Sequence, residues 1–317
     1  MNKRKSRIII KFIIAAGIFY LGISFNVFHI WEKLINNEQK DYLKINEEKN
    51  LEPEASGHYS AQNQIYQNLN LSWNKKLNES WYESDFNILC KSNHILCDKI
   101  NFHWKYNYYQ KRAYLSDIVD IVYFINDSNK IWSNFEDTIS EITINNNKWD
   151  RRWYATWYSI VFNVWTVDIY SEFLNLVSHE MGHIVDLGFL QWNGGKKHWS
   201  FTEFWKVTFY INDPSIYYYG ISRGSEKIRK AKATKKDFCS GYGMYDPFED
   251  FAECFNMYIN HNYLFRQIAK SNPSLKKKYN YMAGIFDWVY LKSNKKDLLL
   301  VKNDVNRRPW DTTKISN

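Results

Sequence analysis

The segment Leu176–Asp186 reads LVSHEMGHIVD and sets His179, Glu180 and His183 in the spacing H-E-x-x-H. Residues four apart lie one turn apart on the same face of an α-helix, so the two imidazoles can reach one metal ion. Glu180 sits about 100° round that helix, where its carboxylate can hold a water and take its proton rather than bind the ion. The donor set suits Zn2+, one per chain. Phe173, Val177, Met181 and Ile184 fall on the opposite face, which predicts a helix seated in a core by its apolar side with its metal side turned to a cleft. The plainer alternative is a pair of surface histidines on an ordinary amphipathic helix, so the second half of a site has to be found.

A catalytic zinc takes three protein ligands and keeps a position for water. The metzincin continuation requires a glycine at position 186 and a histidine or aspartate at position 189, whereas this chain has Asp186 and Phe189. Asp186, one turn past His183, is better placed to support a ligand histidine than to be a ligand. His198 follows a Gly-Gly-Lys-Lys turn and has no supporting pattern.

The segment Gly241–Phe255, GYGMYDPFEDFAECF, offers more. Asp246 is a natural N-cap and Pro247 fits the first helical position. Glu249 and Glu253 then share one face while Phe251, Phe255 and Tyr258 point the other way. Such a pair suits one metal ligand, Glu249, and one acceptor for a ligand imidazole, Glu253. Asp246 and Glu249 also have capping-box spacing, so Glu249 reads equally as a residue that only closes the helix start. Tyr242 lies between two glycines, whose freedom lets its ring reach over the metal or simply pack on the second helix.

These residues together resemble the catalytic domain of the anthrax lethal factor and Pro-Pro endopeptidase family. The likeness rests on HExGHxVD at 179–186, the Tyr242-Gly243 pair seven residues before Glu249, and EDFAECF at 249–255, with Ser274–Tyr279 and the aromatic run to Trp288 resembling the closing helices. It covers 170–290. The gap from His183 to Glu249 is longer than the family's. The resemblance implies a gluzincin site: His179, His183 and Glu249 on zinc, Glu180 as general base, Tyr242 stabilising the oxyanion, and Glu253 behind a ligand.

The elements that must position these groups can be read more coarsely. Ile100–Tyr109 alternates as a strand, and Ala113–Phe135 has helical spacing. Thr138–Asn145 reads as a strand, and Trp153–Tyr170 as one or two, with 159–168 offering an edge for an extended peptide. A helix follows over 171–188 with Ser171 as N-cap, then an irregular 190–240, a helix from Pro247 and further helix from 263. This order predicts an α+β fold: a zincin-like metallopeptidase domain with a small twisted sheet, the HExxH helix and a C-terminal helical part. The expected boundaries are 1–31 as a signal anchor or signal peptide, 32–80 as a polar linker, 81–290 as the metallopeptidase domain and 291–317 as a charged tail. No internal repeat is visible.

Met1–Lys11 is basic and Phe12–Trp31 carries no Asp, Glu, Lys or Arg, a length that spans a bilayer core as a helix. The segment reads as an uncleaved membrane anchor or a cleaved signal peptide, and either places the body outside the cytoplasm. Cys90, Cys97, Cys239 and Cys254 fit that compartment, with three pairings open and Cys254 also readable as a buried thiol. With 45% hydrophobic residues, 12 Gly and 5 Pro among 317, the chain is neither disordered nor collagenous. The net charge of +8 is compatible with acidic partners. Gly220–Lys236 concentrates Arg223, Lys227, Arg229, Lys230, Lys232, Lys235 and Lys236 against Glu226, as a solvated face or an exosite. No nucleic-acid motif is present, so the expected partners are a protein or peptide substrate and, through the N-terminal segment, a membrane. The function expected is an extracytoplasmic zinc endopeptidase. The alternative is a catalytically inactive relative acting as a binding or toxin-component module, against which the intact Glu180 and Tyr242 weigh.

Overall fold

The computed structural model describes residues 79–128, 138–147, 153–155, 158–165, 167, 172–190, 201, 209–211, 213–295 and 308–315. The expected anchor, nearly all of the linker, Ser171 and His198 lie outside these residues. Among the described residues no helix is long and apolar enough to cross a membrane.

Three helices, one of them a single turn, and a short sheet form the first half. Helix α1 (Glu79–Ser92) leads into a single turn, α2 (His94–Cys97), and the Cys90–Cys97 disulfide clips the two together. Strand β1 (Ile100–Phe102) is much shorter than the expected 100–109. The cause is local: Asn107 accepts from the Gln110 N–H and Gln110 returns the bond, so a capping box starts helix α3 at Tyr108 and turns the chain out of the sheet. Helix α3 (Tyr108–Asn126) therefore begins five residues earlier than the apolar spacing suggests and ends nine before Phe135. It buries Leu115, Ile118, Val119, Ile121, Val122 and Ile125.

Strands β2 (Glu141–Asn145), β3 (Trp153–Ala155) and β4 (Ser159–Asn163) complete a four-stranded sheet in the order β1-β2-β4-β3. The first three in that order run parallel, with Ile142 in register between Ile100 and Ile160, and β3 is antiparallel to β4. The 159–168 segment was expected to present a free edge. Instead β4 is interior, hydrogen-bonded to β2 on one side and β3 on the other, so β3 is the edge.

The second half is helical: α4 (Phe173–Ile184), α5 (Pro214–Ser222), α6 (Pro247–Asn260), α7 (Asn262–Lys270) and α8 (Pro273–Ile285). The whole is an α+β chain, mostly helical, with a small largely parallel sheet. Helix α5 interrupts a stretch expected to be irregular, started by Asp213 as N-cap and Pro214 at the first position. The apolar core runs without a break from α3 and the sheet through α4 to α6 and α8. Residues 308–315 do not stand apart as a charged tail: Thr312, Thr313 and Ile315 are buried against α4 and α6.

Candidate metal centre

Helix α4 carries the H-E-x-x-H residues but is not the half-exposed helix that its spacing suggests. Phe173, Val177, Met181 and Ile184 do face the core, and Tyr114 and Phe162 pack edge-on against Phe173. The other side is covered too, so that Asn175, Ser178, His179 and Glu180 are as buried as the apolar residues. What covers it is α6. The two backbones close at Gly182, where an added Cβ would lie 3.1 Å from the Ala252 Cα and 3.2 Å from the Phe255 ring. Any added side chain there would require the two helices to give by a few tenths of an ångström.

After Ile184 the helix widens into a π-turn, Val185–Phe189. Regular 100° steps therefore no longer place Asp186. Its Oδ2 accepts from the Tyr219 hydroxyl of α5 at 2.5 Å, and its backbone carbonyl accepts from Ser215 at 3.4 Å. Burial pushes its carboxyl well above the usual range, with the hydrogen bonds from Ser215 and Tyr219 only partly opposing. Asp186 joins α4 to α5 rather than backing an imidazole.

Helix α6 begins as expected: Asp246 Oδ1 accepts from the N–H groups of Phe248 and Glu249 at 2.9 and 2.8 Å, with Pro247 in the first turn. Glu249 gives the cap only its backbone N–H. Its carboxylate turns to α4, with Oε2 3.2 Å from His179 Nε2 and 3.5 Å from His183 Nε2. One turn on, Glu253 Oε1 lies 2.9 Å from the other nitrogen of the same ring, His179 Nδ1. The two carboxylates of α6 thus grip His179 from opposite sides.

The donor set can be tested against a zinc ion. Bonds of about 2.0–2.1 Å at tetrahedral angles put neighbouring ligand atoms about 3.3 Å apart. The two Glu249–imidazole separations fall on either side of that value. One donor atom each from His179, Glu180 and His183 also lie within 4.8 Å of one another. Glu180 Oε1 is buried 3.9 Å from His179 Nε2, and among the described residues it has no hydrogen-bond partner. The His183 and Glu249 side chains are 15% and 18% exposed, which leaves an approach from solvent on that side. Two imidazoles, a carboxylate and a second carboxylate aimed beside them fit a zinc ion and its water.

Charge follows the same geometry. Burial lowers the His179 and His183 imidazoles, but the carboxylates outweigh it and leave His179 well above the usual value and His183 at about 9. Burial raises Glu249, yet His183 and His179 hold it well below the usual carboxylate range. Glu180 goes the other way: burial lifts it to about 7, with the two imidazoles only partly opposing. Two carboxylates within one site are thereby split into a permanent anion and a group that exchanges a proton near neutrality.

Tyr242 lies on a single 3-10 turn, Tyr242–Met244, and its hydroxyl donates to Glu249 Oε1 at 3.0 Å. Burial and that carboxylate push its phenol far above the ordinary value, so it keeps its proton as a donor. Two fastenings hold this turn. Cys239–Cys254 ties it to α6 beside Glu253, leaving no buried thiol at Cys254. The buried Arg223 donates to the Met244 carbonyl at 2.6 Å. Arg223 is thus a structural member of the basic segment, whereas Lys227, Arg229, Lys230, Lys232, Lys235 and Lys236 are exposed.

A third fastening has no counterpart in the sequence reading. Residues 308–315 cross the back of the site as a strap. Gly241 and Tyr242 donate their N–H groups to the carbonyls of Pro309 and Trp310 at 2.9 and 2.7 Å. The Thr312 N–H donates to Glu253 Oε2 at 2.8 Å, and Asn175 of α4 donates to the Ile315 carbonyl at 2.9 Å.

The structure therefore brings His179, Glu180, His183, Tyr242, Glu249 and Glu253 together and sends Asp186 elsewhere. The sequence reading did not find Thr312, Tyr219 or the close approach at Gly182, because none belongs to a local pattern that signals it. No family model, curated protein or solved structure matches this chain.

Proposed function

We propose that the chain is a zinc-dependent endopeptidase of zincin-like architecture, in which His179, His183 and Glu249 hold the ion. The observation that carries this reading is the convergence of Glu249 Oε2 on both imidazole Nε2 atoms at 3.2 and 3.5 Å. The motif likeness to the lethal factor and Pro-Pro endopeptidase family over 170–290 supports it further. When bound, zinc acidifies a water and polarises the scissile carbonyl.

The remaining work falls to the chain's own residues. Glu180, with its carboxyl lifted to about 7 by burial, takes the proton of the attacking water and passes it to the leaving amine. The Tyr242 hydroxyl, held on Glu249 Oε1 in the free protein, turns to donate to the oxyanion that develops on the substrate. Glu253 fixes the His179 ring through Nδ1 and so sets which nitrogen faces the ion. The body works outside the cytoplasm, held by the N-terminal segment or released from it. The basic-then-apolar order of that segment supports this placement, as do the two disulfides, which persist in oxidising compartments.

Metal analysis tests the site: about one zinc per chain is expected, and none in His183→Ala. Hydrolysis of a peptide library tests the activity, with loss on chelation and recovery on adding zinc. Glu180→Gln should keep its zinc and lose on the order of a hundred- to ten-thousandfold in kcat. Full zinc occupancy in His183→Ala would remove the site as drawn. A zinc-loaded parent that cleaves nothing, with a peptide ligand bound tightly, would make the chain a binding module.

A further inference from the structure

We infer that the C-terminal strap, residues 308–315, is a positioning element of the metal centre, acting through one bond from the Thr312 backbone N–H to Glu253. The inference rests on the zinc reading above and goes beyond it, since nothing in the H-E-x-x-H logic requires the end of the chain.

The argument starts at Glu253, which is wholly buried on α6. Its two oxygens have different tasks. Oε1 takes the His179 Nδ1 side at 2.9 Å, and Oε2 accepts the Thr312 N–H at 2.8 Å. A carboxylate held at both oxygens is fixed about its last torsion, which is otherwise broad. Held at one oxygen only, it can turn, and the imidazole it orients turns with it. The Thr312 N–H is therefore two steps from the ion: it sets Glu253, and Glu253 sets His179.

The placing of that N–H is itself determined from three sides. Asp311 Oδ1 accepts from the Thr313 N–H at 2.8 Å and shapes the 3-10 turn Thr312–Lys314. Asn256 of α6 donates to the Thr312 hydroxyl at 3.0 Å, and Asn175 of α4 donates to Ile315 O at 2.9 Å. Upstream, Trp310 lies so close on Gly241 that an added Cβ there would sit 2.4 Å from its ring. With Tyr242 N–H on the Trp310 carbonyl at 2.7 Å, one short segment fastens α4, α6 and the Tyr242 turn. These are the three elements that carry the site's groups.

Zinc affinity of the full chain, measured by competition with a chromophoric chelator, separates this role from simple packing. Thr312→Ala removes the hydroxyl and keeps the N–H. Thr312→Pro removes both, and its fixed φ suits the first position of a helical turn that follows the extended Asp311. Thr312→Ala should bind zinc within about threefold of the parent, and Thr312→Pro about 10–100-fold more weakly. In a Glu253→Gln background, Thr312→Pro should cost no more than Thr312→Ala, because the residue through which it acts is already altered. The melting temperature of each metal-free variant establishes folding before affinity is read. A chain ending at Trp310 keeps the Gly241 and Tyr242 contacts, lacks the Thr312 N–H and should show the same loss, which covers a Thr312→Pro variant that does not fold. Equal zinc affinity of Thr312→Pro and Thr312→Ala, or of the shortened chain and the parent, overturns the positioning role alone. So does an undiminished Thr312→Pro loss in the Glu253→Gln background. A parent that binds no zinc overturns this role and the proposed function together.

Discussion

The two faces of α4 are equally buried and chemically opposite. Towards the sheet and α3 the helix presents Phe173, Val177 and Met181 to aromatic and branched side chains, including Tyr114 and Phe162. Towards α6 and the strap it presents Asn175, Ser178 and His179. These meet Asn260, which donates to Ser178 at 2.7 Å and to Asn256 at 2.9 Å, His261 at 3.1 Å from Asn175, and Glu253. Apolar contact favours burial without preferring a direction, so the first face sets depth and tolerates rotation. Hydrogen bonds are directional, and a buried network of them is satisfied in few arrangements, so the second face sets the angle at which the imidazoles point. The proposed metal site needs the second kind of precision, and the polar residues are found on that side.

The sharpest separation of the two faces comes from Tyr242, which touches only the polar one. Tyr242→Phe should lower kcat on the order of a hundredfold on a good peptide substrate, with KM and zinc content held. A fall in zinc content with normal kcat per bound zinc would assign the hydroxyl to steadying Glu249 and nothing more. Next in size, Ile142→Ala on the apolar side should cost about 2–5 kcal/mol of stability by urea unfolding, leaving the zinc affinity of the folded protein alone. Asn260→Ala on the polar side should cost less, about 1–3 kcal/mol, yet weaken zinc binding. If the two variants shift zinc affinity alike, the division of labour between the faces is wrong. The smallest effect on the site is expected of the double serine variant at Cys90 and Cys97, far from the ligands. Closing short loops, each bridge contributes about 2–3 kcal/mol. Loss of Cys90–Cys97 should lower the melting temperature and spare activity, whereas loss of Cys239–Cys254 should lower both.

The His179-Glu180-His183 cluster was legible because it depends on spacing within one helix, and the position of Glu249 because Asp246-Pro247 marks where its helix starts. The α+β order followed from apolar periodicity. What escaped were effects of partners distant in the chain. Thr312 reaches Glu253 across 59 residues, and no property of a threonine near the C-terminus announces it. Helical spacing puts Asp186 on the face of His179 and His183, but a π-turn begins at Val185 and breaks the regular 100° rotation. The 159–168 segment reads as an edge, yet the three-residue β3 pairs with the second side of β4, a pairing that no local pattern signals. The capping alternative for Glu249 could be resolved only by where its carboxylate points.

Gly182 lies between the two histidines and binds nothing, yet it governs the distance from α4 to α6. Both imidazoles belong to one helix and Glu249 to the other, so that distance also sets the spacing of the proposed zinc ligands. Zinc bonds of about 2.1 Å and calcium bonds of about 2.3–2.6 Å demand cages of different width. A methyl group at 182 would wedge the helices apart by a few tenths of an ångström, about the difference in radius between one ion and the next. In the proposed zinc site, the size of ion favoured would then be set at a crossing of two backbones, by a residue outside the ligand set.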